Sequence, residues 1–351
     1  MNIDELLRFM VEKGASDLHL RVPGPPVLRI DGRLLPVDGH PGTTPAEIKK
    51  AFEHLTSESQ RDRFYSDLEL DMAYSVPGLA RFRVNVFLQR GTISLAIRRI
   101  PFKVPSIDEL GLPSICKTLA LKPRGLVLIT GRTGTGKSTT LAAMIEHLNK
   151  TETRNVITIE DPIEYLHRNE ECIIAQRELG DDTRSFATAL RHALRQDPDV
   201  ILVGEMRDLD TIATAITAAE TGHLVLSTLH TPNAPQSIDR IIDVFPPYQQ
   251  QQIRLQLSLV LEGVLSQLLL PRSGGKGRTA AVEVMLGTDA IRNLIREGKT
   301  EQILTYMQTG SQFSMQTMDQ ALQDLVRSGT VTLAEALFRS SKPDELRRLR
   351  V

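Results

Sequence analysis

Gly131-Arg132-Thr133-Gly134-Thr135-Gly136-Lys137-Ser138-Thr139 fills every position of the phosphate-loop pattern G-x-x-x-x-G-K-[ST]. Leu126-Val127-Leu128-Ile129-Thr130 before it is an apolar run suited to a buried strand, and Leu141-Ala142-Ala143-Met144-Ile145 after it reads as helix. Glycines at this junction let the backbone curl so that successive N–H groups converge on one anion. The start of the new helix adds its positive end to the same point. The pattern therefore predicts a nucleoside triphosphate site cradled by Gly131, Thr133, Gly134, Thr135, Gly136 and Thr139. Lys137 is expected to reach the outer phosphates, and Ser138 to hold Mg²⁺.

Further strand ends come into view downstream. Asn155-Val156-Ile157-Thr158-Ile159 reads as a buried strand running into Glu160-Asp161-Pro162-Ile163-Glu164, three carboxylates placed to hold Mg²⁺ or orient water. A helix capped by Asp182 or Thr183 runs through Phe186, Leu190 and Leu194 to Asp197-Pro198-Asp199. Val200-Ile201-Leu202-Val203 then leads into Gly204-Glu205-Met206-Arg207-Asp208. An acid is needed here for the metal shell or the attacking water. Where an Asp-Glu pair is usual, this chain has Gly204-Glu205, so one acid is missing and Glu205 acts alone or with help from Glu164. A helix from Leu209 to Thr221 precedes a fourth strand, Leu224 to Leu229, with His230 at its tip and His223 at its remote start. His230 either touches the site or faces water, and His223 reads as structural. Strand–helix alternation around a phosphate loop predicts a mainly parallel sheet with helices on both faces.

The first hundred residues read differently. A short amphipathic helix from Asp4 to Lys13 is followed by strands at 17–22, 27–30 and 34–37, with Asp31-Gly32 as a hairpin turn. Two helices, Pro45 to Leu55 and Ser57 to Tyr65, precede strands at 68–76, 80–88 and 92–99, giving an α+β domain with an antiparallel sheet. Arg81 and Arg83 lie on the face opposite Phe82 and Val84, with Arg98 and Arg99 on the next strand. They either cover a solvated face or reach a phosphate on another subunit. Ile100-Pro101-Phe102-Lys103-Val104-Pro105 has two prolines and no period, and reads as a linker.

The totals narrow the classes. A chain of 351 residues with 41% hydrophobic and 24% charged residues suits about two globular domains. A net charge of -1, no tryptophan and 4% aromatics argue against a nucleic-acid partner. Cys116 and Cys172 are far apart, which implies neither a disulfide framework nor a zinc ribbon. No basic-then-apolar leader and no apolar run of ~20 residues is visible, so a cytoplasmic location is expected, with any membrane role passing through a partner.

Four blocks together resemble the secretion ATPase superfamily, which drives type II secretion and type IV pili. They are the Gly131–Thr139 loop, Ile157 to Glu164, Leu202 to Asp208, and Gly222 to Thr231, similar to its Walker A, Asp box, Walker B and His box. The Gly-Glu form of Walker B is typical of that family. Ala290-Ile291-Arg292-Asn293-Leu294-Ile295-Arg296-Glu297 resembles the signature of its pilus-retraction branch, as do Met307 to Gly310 and Thr317 to Leu322. Assembly and type II secretion branches usually carry extra N-terminal domains and a four-cysteine loop, which 351 residues with two cysteines are not expected to hold.

The resemblance implies a PAS-like α+β domain over 1–99, a linker over 100–115 and a RecA-like P-loop ATPase domain over 116–351, helical from about 288. It further implies a homohexamer hydrolysing ATP with Mg²⁺, the nucleotide lying between the domains near the neighbouring subunit. Ser138, Glu160 and Glu205 would serve the metal, Glu205 and Glu164 the water, and His230 the γ-phosphate. Arg83 and Arg98 match the N-domain arginines that approach the nucleotide. The expected partner is the pilus platform protein, placing the motor peripherally at the inner membrane. A pilus assembly or type II secretion ATPase, or an accessory retraction paralogue, would share most of these motifs. In the helix at 290–297, Ile291, Leu294 and Ile295 form an apolar stripe, and Arg292, Asn293 and Arg296 form the polar face expected to couple to pilus work.

Overall fold

The computed structural model describes residues 2–30, 32–40, 42–100, 104–275 and 277–347. Asp31 of the expected hairpin turn, Pro101, Phe102 and Lys103 of the expected linker, and residues 348–351 lie outside the described residues. The chain divides into two compact units, one of residues 1–103 with 164–166, the other of 104–163 with 167–351.

The first unit carries helices α1 (Ile3–Glu12), α2 (Pro45–Leu55) and α3 (Glu58–Asp67), and strands β1 (Asp17–Leu20), β2 (Val27–Ile30), β3 (Arg33–Pro36), β4 (Glu69–Val76), β5 (Ala80–Gln89) and β6 (Thr92–Ile100). The strands form one antiparallel sheet in the order β3-β2-β1-β6-β5-β4. Thr44 and Ser57 begin α2 and α3 with capping boxes, each hydroxyl meeting the third helical N–H while Glu47 or Gln60 reaches back. Period-two alternation sends Leu18, Leu20, Phe82, Val84, Val86, Leu95 and Ile97 into a core shared with Leu7, Met10, Ile48 and Phe52 of the helices. The other face carries the alternate residues, Asp17, His19, Arg81, Arg83 and Arg98.

In the second unit the strands are β7 (Gly125–Thr130), β8 (Asn155–Glu160), β9 (Ile173–Glu178), β10 (Val200–Val203), β11 (Leu224–Leu229), β12 (Leu261–Pro271) and β13 (Arg278–Leu286). The helices are α4 (Ile115–Ala120), α5 (Lys137–Asn149), α6 (Phe186–Ala193), α7 (Leu209–Glu220), α8 (Ala234–Asp243), α9 (Pro247–Val260), α10 (Asp289–Glu297), α11 (Ile303–Thr309), α12 (Met318–Arg327), α13 (Leu333–Arg339) and α14 (Pro343–Arg347). The sheet order is β13-β12-β7-β11-β10-β8-β9, with every neighbour pair parallel except β12–β13. Both faces are buried. Leu126, Leu128, Ile201 and Val225 point to one side against α6–α10, while Val127, Ile129, Leu202 and Leu226 point to the other against α4 and α5. This two-sided burial explains why these strands read as continuous apolar runs.

Two local expectations change. Ser185, rather than Asp182 or Thr183, caps α6, its hydroxyl accepting from Thr188 N at 3.1 Å. Asp182 instead closes the turn after β9, accepting from Glu178 N at 2.8 Å. Strand β9 itself was not foreseen. It is a sheet edge, partly exposed, and lacks the apolar run of its neighbours.

Candidate functional site

Strands β7, β11, β10 and β8 lie side by side and run the same way, so their C-terminal ends form one edge. Along that edge follow the phosphate loop, His230, Glu205 and Glu160. Ligands of open parallel sheets bind at such an edge.

The phosphate loop is wound tightly around its own backbone. Gly131 has φ of 140°, and a Cβ there would stand 2.6 Å from Gln267 O and 2.7 Å from Thr135 Oγ1. Thr135 Oγ1 donates to Arg132 O at 2.9 Å, closing the turn. Lys137 is buried, and its Nζ donates to Gly131 O at 2.9 Å and Arg132 O at 3.3 Å. The ammonium is thus folded back over the loop. Gly136 precedes α5 with no side-chain cap, and the positive end of a helix dipole favours an anion at such a start. Thr133 and Gly134 are exposed at the loop's tip, and Ser138 and Thr139 are half-buried in the first turn of α5.

The loop rests on β12. Thr130 Oγ1 donates to Ser266 Oγ at 2.9 Å, and Gln267 Nε2 donates to Thr140 Oγ1 at 2.9 Å. Neither Ser266 nor Gln267 was singled out from the sequence. They lie far along the chain, and no local pattern marks their pairing with the loop.

Glu205 and His230 meet. His230 Nε2 lies 3.1 Å from Glu205 Oε2, and Arg207 pairs with Glu205 Oε1. The carboxylate is 14% exposed and the imidazole 44%, so an inner acid is flanked by two outer groups facing solvent. The sequence pattern alone assigns Arg207 no role. Gly204 in place of an acid has a packing reason. A Cβ there would lie 3.2 Å from Ile159 O and 3.4 Å from Glu160 Cα, tighter than side chains normally approach. The end of β10 is pressed against β8, where Gly204 N donates to Ile159 O at 2.8 Å and Thr228 Oγ1 to Gly204 O at 2.6 Å.

Glu160 Oε1 accepts from Thr158 Oγ1 at 2.6 Å and Gln176 Nε2 at 3.1 Å, which holds the carboxylate at the strand end. Glu164 is exposed and clusters with the first unit. No cluster of three or more His, Cys, Asp or Glu able to hold a metal occurs among the described residues. The oxygens of Ser138, Glu160 and Glu205 nevertheless suit Mg²⁺, which keeps few protein ligands and shares its shell with substrate phosphates.

Arg83 and Arg98 are cross-strand neighbours on the polar face of the first unit. Arg98 Nε donates to Asp17 Oδ1 at 2.8 Å, and Arg83 Nε lies 3.7 Å from Asp71 Oδ1. Burial pushes the Asp17 carboxyl up, but hydrogen bonds from Arg98 and Ser16 and the charge of Arg98 outweigh it and hold it below the usual carboxylate range. Both cysteines are buried, and burial pushes the Cys116 thiol up to about 12, which leaves it unreactive.

The polar face of α10 is divided. Arg292 is fastened into the second unit, donating to Glu262 Oε1 at 2.8 Å, Ser258 O at 2.8 Å and Gly287 O at 2.7 Å. It is therefore not part of a free surface, contrary to the sequence-based expectation. Asn293 and Arg296 are exposed. Among the described residues no helix is long and apolar enough to cross a membrane.

The family model described as type II/IV secretion system protein matches residues 2–338. The type IV pilus retraction ATPase PilT of Pseudomonas aeruginosa is 48% identical over 344 residues, covering 98% of this chain and 99% of that protein. The type IV pilus ATPase PilU of the same organism is 45% identical, covering 99% of this chain and 91% of its own length. The crystal structure of the pilus retraction motor PilT with bound ADP superposes with a TM-score of 0.93 at 47% identity, covering 99% of this chain and all 100% of that one.

Proposed function

Because this chain belongs to the type II/IV secretion system protein family, we propose that it is an ATP-hydrolysing motor that powers type IV pilus retraction. The observation that carries the reading is the common edge of β7, β11, β10 and β8. It aligns a phosphate loop, a histidine and a carboxylate in a chain 48% identical to a retraction ATPase over nearly its whole length.

In this reading residues 1–99 are a PAS-like domain, 100–115 a linker and 116–351 a RecA-like ATPase domain with a helical end from about 288. Six copies form a ring. The N–H groups of Gly131 to Thr139 and the Lys137 ammonium bind and neutralise the phosphates of ATP. Ser138, with Glu160 and Glu205, would hold Mg²⁺, which would supply charge neutralisation at the phosphate oxygens. Glu205 orients the attacking water, assisted by Glu164, and His230 relays the presence of the γ-phosphate through its contact with Glu205. Arg83 and Arg98 stabilise phosphate charge on a neighbouring subunit. Hydrolysis rotates one domain against its neighbour, and the motion passes to the platform protein at the inner membrane. The motor stays cytoplasmic and peripheral there, with no nucleic-acid partner.

Deletion in the host tests the direction of work. Loss of surface motility with an excess of pili supports retraction, and a bald strain would replace it with assembly. The 45% identity to a second pilus ATPase favours one alternative, an accessory retraction paralogue. Normal piliation and motility after deletion, with a purified chain that hydrolyses ATP, would select that alternative.

A further inference from the structure

Asp17, Arg98 and Arg83 stand in one row across the first sheet. Asp17 is directly opposite Arg29 on one side and Arg98 on the other, and Arg98 is directly opposite Arg83. Directly paired residues point to the same face, and like charges directly opposite destabilise a sheet. Arg83 and Arg98 are such a pair. Each has a carboxylate at its Nε, Asp71 at 3.7 Å and Asp17 at 2.8 Å.

The two carboxylates differ. Asp71 is on an exposed edge strand, whereas Asp17 is 6% exposed on a central strand and its Oδ2 also accepts from Ser16 Oγ at 2.7 Å. Arg98 is tethered at one nitrogen, yet its side chain is 69% exposed. Its Nη1 and Nη2 bond no other group among the described residues, which leaves the forked end for an outside acceptor. A guanidinium held at Nε by a buried carboxylate keeps one orientation and presents two parallel donors, the arrangement that suits a phosphate.

We propose that Asp17 is a positioning residue for hydrolysis, holding Arg98 in the orientation in which it meets a triphosphate bound to a neighbouring copy of this chain. The inference rests on the reading that Arg98 serves phosphate charge. Arg29, the other arginine beside Asp17 at 3.7 Å, bonds Gly32 O at 3.0 Å and belongs to the hairpin instead.

The test is a double-mutant cycle on the full-length assembled protein, reading kcat, KM for ATP, binding of a fluorescent ADP analogue and the thermal midpoint. Arg98→Ala should lower kcat about 1,000-fold, as loss of an arginine finger does. Asp17→Asn should lower kcat about 10- to 100-fold, the effect of a misplaced group, with ADP binding and KM little changed. The double variant should match Arg98→Ala alone, because Asp17 acts only through Arg98. Arg29→Ala should keep kcat within about twofold. Asp17→Ser serves as the second variant should Asp17→Asn fold poorly. A defective Arg98→Ala with wild-type kcat in a folded Asp17 variant overturns the inference alone, as do losses that multiply in the double variant. Wild-type kcat in Arg98→Ala overturns the arginine reading, and the inference with it.

Discussion

At Gly131 a side chain would meet Gln267 O at 2.6 Å, with the backbone at a φ of 140° that L-residues rarely adopt. Both obstacles are backbone, so neither yields cheaply. Gly131→Ala should therefore abolish nucleotide binding while leaving the rest of the sheet folded, which equilibrium binding of a fluorescent ADP analogue together with far-UV circular dichroism would check. Glu205 is different, because it lines the site without shaping the loop. Glu205→Ala should keep nucleotide binding within a few-fold and lower steady-state hydrolysis by at least about 100-fold. Wild-type turnover in that variant would remove Glu205 from the mechanism. The phosphate-loop residues were legible in the sequence because the loop is local: nine consecutive residues carry the glycines, the lysine and the hydroxyls. Ser266 and Gln267 were not, because their role arises only where β12 is laid beside β7.

Helix α10 shows the same limit in an element. Its apolar stripe, Ile291, Leu294 and Ile295, is buried as the 3.6-residue period implies. The period also assigns Arg292 to the polar side, yet that arginine reaches across to Glu262 and to the carbonyls at the C-terminal end of α9. Arg292→Ala removes those hydrogen bonds, leaving Glu262 with Lys122 Nζ at 2.8 Å, at a cost of about 2–3 kcal/mol. It should lower the thermal midpoint and ATP turnover together. Arg296→Ala, at an exposed site, should keep the thermal midpoint and the ATPase rate and lose retraction, measured as pilus dynamics in cells carrying the variant. Loss of ATPase in Arg296→Ala would contradict a coupling role for that face. Strand β9 was missed for a related reason, since an edge strand needs no apolar run and its identity comes from hydrogen bonds to β8.

Across the molecule, partial burial depresses the basicity of His19, His147 and His167. His167 has a side chain 4% exposed, and burial depresses its basicity despite Glu146 at 3.5 Å. Its folded pKa lies below the unfolded value of 6.5, so between the two the unfolded chain binds the additional proton and stability falls as pH falls. Above the unfolded value the two states are alike in this group. The thermal midpoint should drop between pH 7 and pH 5.5, by up to about 1.4 kcal/mol of stability per pH unit for this one group, and His167→Gln should flatten that slope. Sequence alone determined the triphosphate loop, the alternation that builds a mainly parallel sheet, and the antiparallel character of the first unit, because each is written in spacing over a few residues. Tertiary structure decided that Glu205 pairs with His230, that Asp17 holds Arg98, that Gly204 is needed for the close approach of β10 to β8, and that Arg292 is fastened into the second unit. These are contacts between residues distant in the chain, set by strand order and register, which no local pattern contains.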